Sequence, residues 1–272
     1  MMKTGFFMNY PKRFSARSLS CSLIVLLLIV SCSTLRAAPQ ANQTRTPSET
    51  VREFYKALSQ KRFRDALMMS IYKPAIEGLS AAEIEELRPD FEKMATGAEK
   101  VEVKGEQLSN DTATVFVKMM DDTADAPPAP VPMLRMDGQW IVGERGDYDL
   151  VKEGGKEFFF KTRISVHEGE VGEILQRIQL AEIAYGSQHS NNFADLPTLI
   201  KATPSLNDLE GTESTGYRFA VRLLKDGKAY FVSAEPARYN RTGRLSFNMD
   251  QSGTIKSADV GGKPLIVATD KQ

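Results

Sequence analysis

The sequence predicts an α+β protein of two domains, each a helix packed on an antiparallel sheet. Three observations predict it. Apolar residues recur first at helical spacing and then at every second position, and this succession occurs twice, up to about residue 145 and again from about residue 168. Asp137-Gly138 and Asp226-Gly227 sit between alternating stretches, where Asp-Gly favours a hairpin turn. A charged, glycine-containing connector, residues 146–167, separates the two successions, and 272 residues are enough for two cores.

The first domain is expected over residues 46–145. Thr46-Pro47-Ser48-Glu49 combines an N-cap, a proline at the first helical position and a glutamate that completes a capping box. Val51, Phe54, Tyr55 and Leu58 then share one helical face, and Phe63, Ala66 and Leu67 continue as a second short helix. Ser80-Ala81-Ala82-Glu83 opens another capped helix carrying Ile84, Leu87, Phe91 and Met94, which Pro89 bends or splits and Gly97 ends. Beyond Gly97 the period becomes two: Val101 and Val103, a turn at Asn110-Asp111, then Ala113, Val115, Val117 and Met119. Asp121 to Pro130 reads as an acidic, proline-rich loop, and Met133 to Met136 and Gln139 to Val142 flank the Asp137-Gly138 turn.

On Val51-Arg52-Glu53-Phe54-Tyr55-Lys56-Ala57-Leu58, Phe63-Arg64-Asp65-Ala66 and Met136-Asp137-Gly138-Gln139-Trp140-Ile141-Val142, residues 46–145 resemble the nuclear-transport-factor-2-like (cystatin-like cone) superfamily, in particular its exported lipoprotein members. The resemblance implies a curved sheet wrapped on a helix around an internal pocket. The candidates to line such a pocket are Phe54, Tyr55, Tyr72, Met119, Met133, Met136 and Trp140, an aromatic and methionine set that suits an apolar ligand or a filled core.

In the connector, Phe158-Phe159-Phe160 reads as a strand or a docking segment that covers the interface between the domains. The second domain is expected over residues 168–265. Val171, Ile174, Leu175, Ile178, Leu180, Ala181 and Tyr185 give a helix with a broad apolar face, and Phe193 to Leu199 reads as an irregular loop. Strands follow at Tyr217 to Leu223, Ala229 to Ala234 and Arg244 to Met249, with a turn at Ser252-Gly253 leading into Ile255. On Ile178 to Tyr185, Gly216-Tyr217-Arg218-Phe219, Ala234-Glu235-Pro236, Thr242-Gly243-Arg244-Leu245-Ser246-Phe247 and Asp250-Gln251-Ser252-Gly253-Thr254-Ile255, this half resembles the globular head of type IV pilins and pseudopilins. Those proteins carry a long apolar stalk directly before the head. Here Lys152, Glu153, Lys156 and Glu157 stand there, and the sheet is expected to cover the helix, so self-assembly through a stalk is not expected.

The N-terminus predicts export. Lys3, Lys12, Arg13 and Arg17 precede the apolar run Leu23–Val30, which is too short for the ~20 residues of a membrane-spanning helix but suits a signal peptide. Ile29-Val30-Ser31-Cys32 resembles a bacterial lipobox, which implies a signal peptide over residues 1–31, diacylglycerol on Cys32 and a tether over residues 32–45; cleavage near Ala37-Ala38 is the alternative. The lipidated reading leaves the mature chain no free cysteine pair, since Cys21 departs with the signal.

Composition narrows the chemistry. Lys plus Arg and Asp plus Glu are equal at 35 each, which gives no electrostatic case for nucleic acid. No phosphate loop, dinucleotide fingerprint or serine elbow occurs. There is no histidine in residues 46–145, and His167 and His189 lack carboxylates at ligand spacing. Asp121, Asp122 and Asp125, and Asp250 with Ser252-Gly253, lack the full spacing of a calcium loop. Catalytic residues, metal and cofactor are therefore not expected. The basic cluster Arg238, Tyr239, Arg241 and Arg244 is the candidate partner surface. These expectations describe a non-catalytic envelope lipoprotein, facing the periplasm or cell exterior, that binds an envelope protein partner or a small apolar ligand. An isomerase- or cyclase-type enzyme, or an accessory of a pilus or secretion machine, are the alternatives.

Overall fold

The computed structural model describes residues 45–119 and 125–265. The expected signal peptide, Cys32, the tether up to residue 44, Asp121 and Asp122 lie outside the described residues. The fold is α+β, with two four-stranded antiparallel sheets.

Helix α1 (Pro47–Ser59) starts where its capping box dictates. The Glu49 amide donates to Thr46 Oγ1 at 3.2 Å, and the Thr46 amide donates to the Glu49 carboxylate at 2.8 Å. Val51, Phe54, Ala57 and Leu58 form its buried face. Helices α2 (Phe63–Met68) and α3 (Lys73–Glu77) follow. Ser80 and Glu83 repeat the capping box at α4 (Ala81–Glu86), and Pro89 splits off α5 (Arg88–Met94), where it occupies the first turn and forfeits no helical bond.

Strands β1 (Val101–Ser109), β2 (Thr112–Met119), β3 (Ala129–Met136) and β4 (Gln139–Val142) form a meander in chain order. Asp137 and Gly138 take φ of 50° and 76°, as the expected hairpin turn between β3 and β4 requires. β3 begins at Ala129, inside the stretch expected to be loop. Its prolines are tolerated by phase. The Arg135 amide donates to Asp111 O at 2.8 Å, so odd-numbered residues of β3 bond toward β2. Pro130 and Pro132 therefore turn their missing N–H the other way, where β4 pairs only from Met133 onward. Val115, Val117, Val131 and Met133 pack with Phe54, Phe63 and Phe91 in the first core.

The connector is helical rather than a strand. Helix α6 (Arg145–Gly154) leads into α7 (Phe158–Gln188), a single helix of 31 residues that starts ten residues before the expected Glu168. Its first turn sends Phe159 and Phe160 into the first core, whereas Val171, Leu175 and Ile178 enter the second. The apolar stripe reads as interrupted in sequence because the helix changes partner midway.

Helix α8 (Leu196–Ala202) replaces the expected loop. Asp195 caps it by accepting from the Thr198 amide at 3.0 Å, and Pro197 sits in its first turn. A 3-10 turn (Pro204–Leu209) precedes the second meander: β5 (Tyr217–Leu224), β6 (Ala229–Pro236), β7 (Ser246–Asp250) and β8 (Ile255–Ala258). Lys225, Asp226 and Gly227 all have positive φ, so a longer loop than a two-residue turn joins β5 to β6. Tyr230, Val232, Ala234, Phe247 and Met249 close on α7. The cover is incomplete: Leu180, expected on the apolar face, is 67% exposed, and Ile183 is 57% exposed.

The described residues from 45 to 265 form one compact unit. An ion cluster joins its two sheet layers. Arg163, 7% exposed on α7, donates through Nε to Asp90 at 2.8 Å and through Nη2 to the Glu86 carbonyl at 2.7 Å. Arg238 reaches Glu86 at 3.2 Å, and Arg241 reaches Glu83 at 3.7 Å while lying 4.1 Å over the Phe160 ring.

Candidate functional site

Among the described residues, a groove of about 420 Å³ lies between α8 and β5. One wall is α8, whose Leu196 and Ile200 sit between the core and the groove, each 7% exposed. Leu209, at the end of the 3-10 turn, closes one end with Glu210 beside it. Phe219, Ala220 and Val221 of β5 form the other wall, and exposed Pro197 and Lys201 stand on the rim. The lining is mostly apolar, with one cation and one anion at the margin.

The β5 wall is a sheet edge, since β5 is the terminal strand of its sheet. Its phase can be read from one bond. The Ala237 amide donates to Gly216 O at 2.9 Å, and these two residues continue the register in which Tyr217 faces Pro236. In an antiparallel pair bonded and non-bonded positions alternate. Arg218, Ala220 and Arg222 therefore bond toward β6, and Phe219 and Val221 direct both N–H and C=O to the open edge. No other described backbone group bonds them.

Of the residues named from sequence as a first-domain pocket, Phe54, Tyr55, Tyr72, Met133 and Trp140 meet at the first core, whereas Met119 and Met136 lie elsewhere. Phe54 and Met133 are core, 5% and 1% exposed. Tyr72 packs against Phe158 and Phe159 at 5.9 and 5.6 Å, and burial followed by the charge of Asp147 pushes its hydroxyl pKa up to about 12. Met119 lies against Gly97, Met136 packs with Ile71 and Leu134, and Trp140 holds Arg135 at 5.9 Å from its half-buried ring. Tyr55 alone of the set lines a smaller groove of about 230 Å³, together with Arg52, Lys56, Glu99 and Val103.

The candidate partner surface is held by the chain's own acids. Besides Arg238 and Arg241 on α4, Arg244 pairs with Asp259 at 2.9 Å, and the Tyr239 hydroxyl donates to Asp259 at 2.9 Å. His167 is buried with Nδ1 2.9 Å from Thr242 O, and His189 stacks on Tyr185 at 3.8 Å. Asp250 accepts from the Ser252 amide within a tight turn. Among the described residues no three His, Cys, Asp or Glu side chains gather as metal ligands.

Sequence reasoning missed two features. The groove is hidden in the sequence because the stretch Phe193 to Leu199 reads as a loop, although Asp195-Leu196-Pro197 is an N-cap followed by a first-turn proline. The other is Glu182 on α7, which is fully buried. Its Oε2 accepts from the Ala194 amide at 3.0 Å and its Oε1 has no hydrogen-bond partner. Burial, reinforced by the charge of Asp195 and only partly opposed by the Ala194 N–H, pushes its pKa up to about 7. No helix among the described residues is long and apolar enough to cross a membrane. Comparison of the chain with protein-family models, with curated proteins and with solved structures finds no match.

Proposed function

We propose that the protein is a non-catalytic lipoprotein of a bacterial envelope that captures its ligand in the groove between α8 and β5. The apolar lining of that groove carries the reading. It leaves Leu196, Ile200, Leu209, Phe219 and Val221 around about 420 Å³ of open space, within the ~300–1,000 Å³ of sites that hold small ligands. The basic n-region, the short apolar run and Ile29-Val30-Ser31-Cys32 support export and anchoring through Cys32, and the resemblance of residues 168–260 to pilin heads agrees with an interaction role. The resemblance of residues 46–145 to the cone superfamily then accounts for a second layer that supports the first through the Arg163 cluster.

Two measurements test the proposal. Radiolabelled palmitate should enter the wild-type protein and not Cys32→Ala; an unlipidated mature chain cut near Ala37-Ala38 rejects the anchor. Anilinonaphthalene sulfonate, an apolar anion that fluoresces on burial, should bind the wild type, and Ile200→Arg should abolish that signal by filling the groove. No binding, or equal binding by a folded Ile200→Arg protein, rejects the groove.

A further inference from the structure

We propose that the groove takes an extended polypeptide segment of a partner protein, which adds to β5 as a fifth strand and presents apolar side chains at alternate positions. The inference rests on the reading that this groove is the binding site, and names its occupant.

Backbone chemistry identifies the occupant. Phe219 and Val221 each offer an N–H and a C=O to the groove, two residues apart on one strand. The repeat of those groups along the edge is ~6.6 Å, twice the rise of a strand residue. Another extended backbone has the same repeat and satisfies both residues together, which is the basis of recognition by strand addition. An acyl chain could fill the apolar space but would leave all four polar groups unmet.

Phase then sets the side chains. Residues that bond opposite Phe219 and Val221 point their side chains to the same face of the sheet as those two, between β5 and α8. That space is walled by Leu196, Ile200 and Leu209, so these residues must be apolar. The residue between them lies on the face of exposed Arg218 and Ala220 and can be polar. The recognised pattern is apolar, any, apolar.

Among the described residues no strand pairs with this edge. β5 runs eight residues against β6 with no register shift, and it contains no proline. Bulges, prolines and covering elements are the usual protection of an edge. Here α8 stands alongside but leaves the groove between. For a second copy, the register paired antiparallel about Ala220 is disfavoured, because it sets Arg218 of each β5 against Arg222 of the other.

The test uses the full chain and a fluorescein-labelled hexapeptide, acetylated and amidated, with valine at alternate positions and threonine between. Binding is followed by fluorescence anisotropy. The same peptide N-methylated at the two valine amides that face β5 keeps the side chains and loses the bonds. It should bind more weakly by about tenfold or more. Val221→Pro should weaken the parent peptide by a similar factor. Its lost N–H points away from β6, so its urea midpoint should stay near that of the wild type. If Val221→Pro does not fold, the N-methylated peptide still decides. Equal binding of the two peptides, or no binding of the parent, overturns strand addition, as does crosslinking of β5 to β5 of a second copy. The groove itself is judged separately. Dye binding lost in Ile200→Arg, with no peptide binding, retains the binding site and rejects this occupant.

Discussion

Glu182→Gln should make the protein more stable at alkaline pH and leave it unchanged in mild acid. Glu182 is fully buried, one of its oxygens accepts from the Ala194 amide, and the other is unpartnered. The folded state therefore favours the protonated carboxyl, with a pKa of about 7 against an ordinary 4.5. Because the folded pKa is the higher, the folded form binds more protons between these values. Stability is fully present below about pH 4.5, falls as pH rises, and levels off above about pH 7. At 1.36 kcal/mol per unit, the carboxyl costs the wild type roughly 3 kcal/mol in that upper range. Glutamine keeps the acceptor for Ala194 and cannot ionise. Neighbouring groups do not mimic the effect: hydrogen bonds from Thr198 keep Asp195 below the usual carboxylate range, and burial raises Tyr230 to about 12. Urea unfolding across this range should give wild-type and variant curves that coincide near pH 4 and diverge by up to ~3 kcal/mol near pH 8. Parallel curves would show that Glu182 is hydrated and that its burial is not felt as a charge penalty.

Arg163→Met should destabilise the fold by about 3 kcal/mol, because it strands Asp90 and Glu86 beside a buried gap. Those acids keep 34% and 20% exposure, which places the value low in the range for broken buried pairs; a loss under ~1 kcal/mol in urea would mean water already screens the cluster. Phe54→Ala should cost ~3–5 kcal/mol, since the side chain is 5% exposed. Trp140→Ala should cost only about 1 kcal/mol, because its ring is half-buried and holds Arg135 on one face; calorimetric losses of equal size would contradict this ranking. Gly216→Ala should lower the melting temperature sharply. Gly216 has φ of 69°, and a Cβ there would come 2.1 Å from His167 Nδ1, so an unchanged melting temperature would show that this corner is built differently.

Local signals set much of the fold. Thr46 with Glu49 and Ser80 with Glu83 start helices where the capping box says, because a cap involves residues three apart and needs no partner elsewhere. Asp137-Gly138 turns its hairpin for the same reason, and alternation in β2 follows one buried face. Asp195 ahead of Leu196-Pro197 is an equally local start signal for α8. Other features were decided at a distance. The extent of α7 was obscured because Phe159 and Phe160 serve one core, Val171 and Ile178 another, and no single periodic stripe joins them. Arg238 and Arg241 read as a free basic surface until the fold set them against Glu83 and Glu86, about 150 residues earlier in the chain.

By itself the sequence determined the α+β class, the two helix-then-sheet successions, the capped helix starts and the basic, apolar and cysteine-bearing leader from which export is proposed. Only the tertiary structure decided the rest. Whether Glu182 faces water or core, which edge of the second sheet is left open at Phe219 and Val221, and how α8 stands beside that edge depend on how elements pack. Periodicity records the hydrogen bonds and buried face of each segment in turn. It carries no record of which segment covers that face, and burial, charge pairing and grooves all arise from that covering.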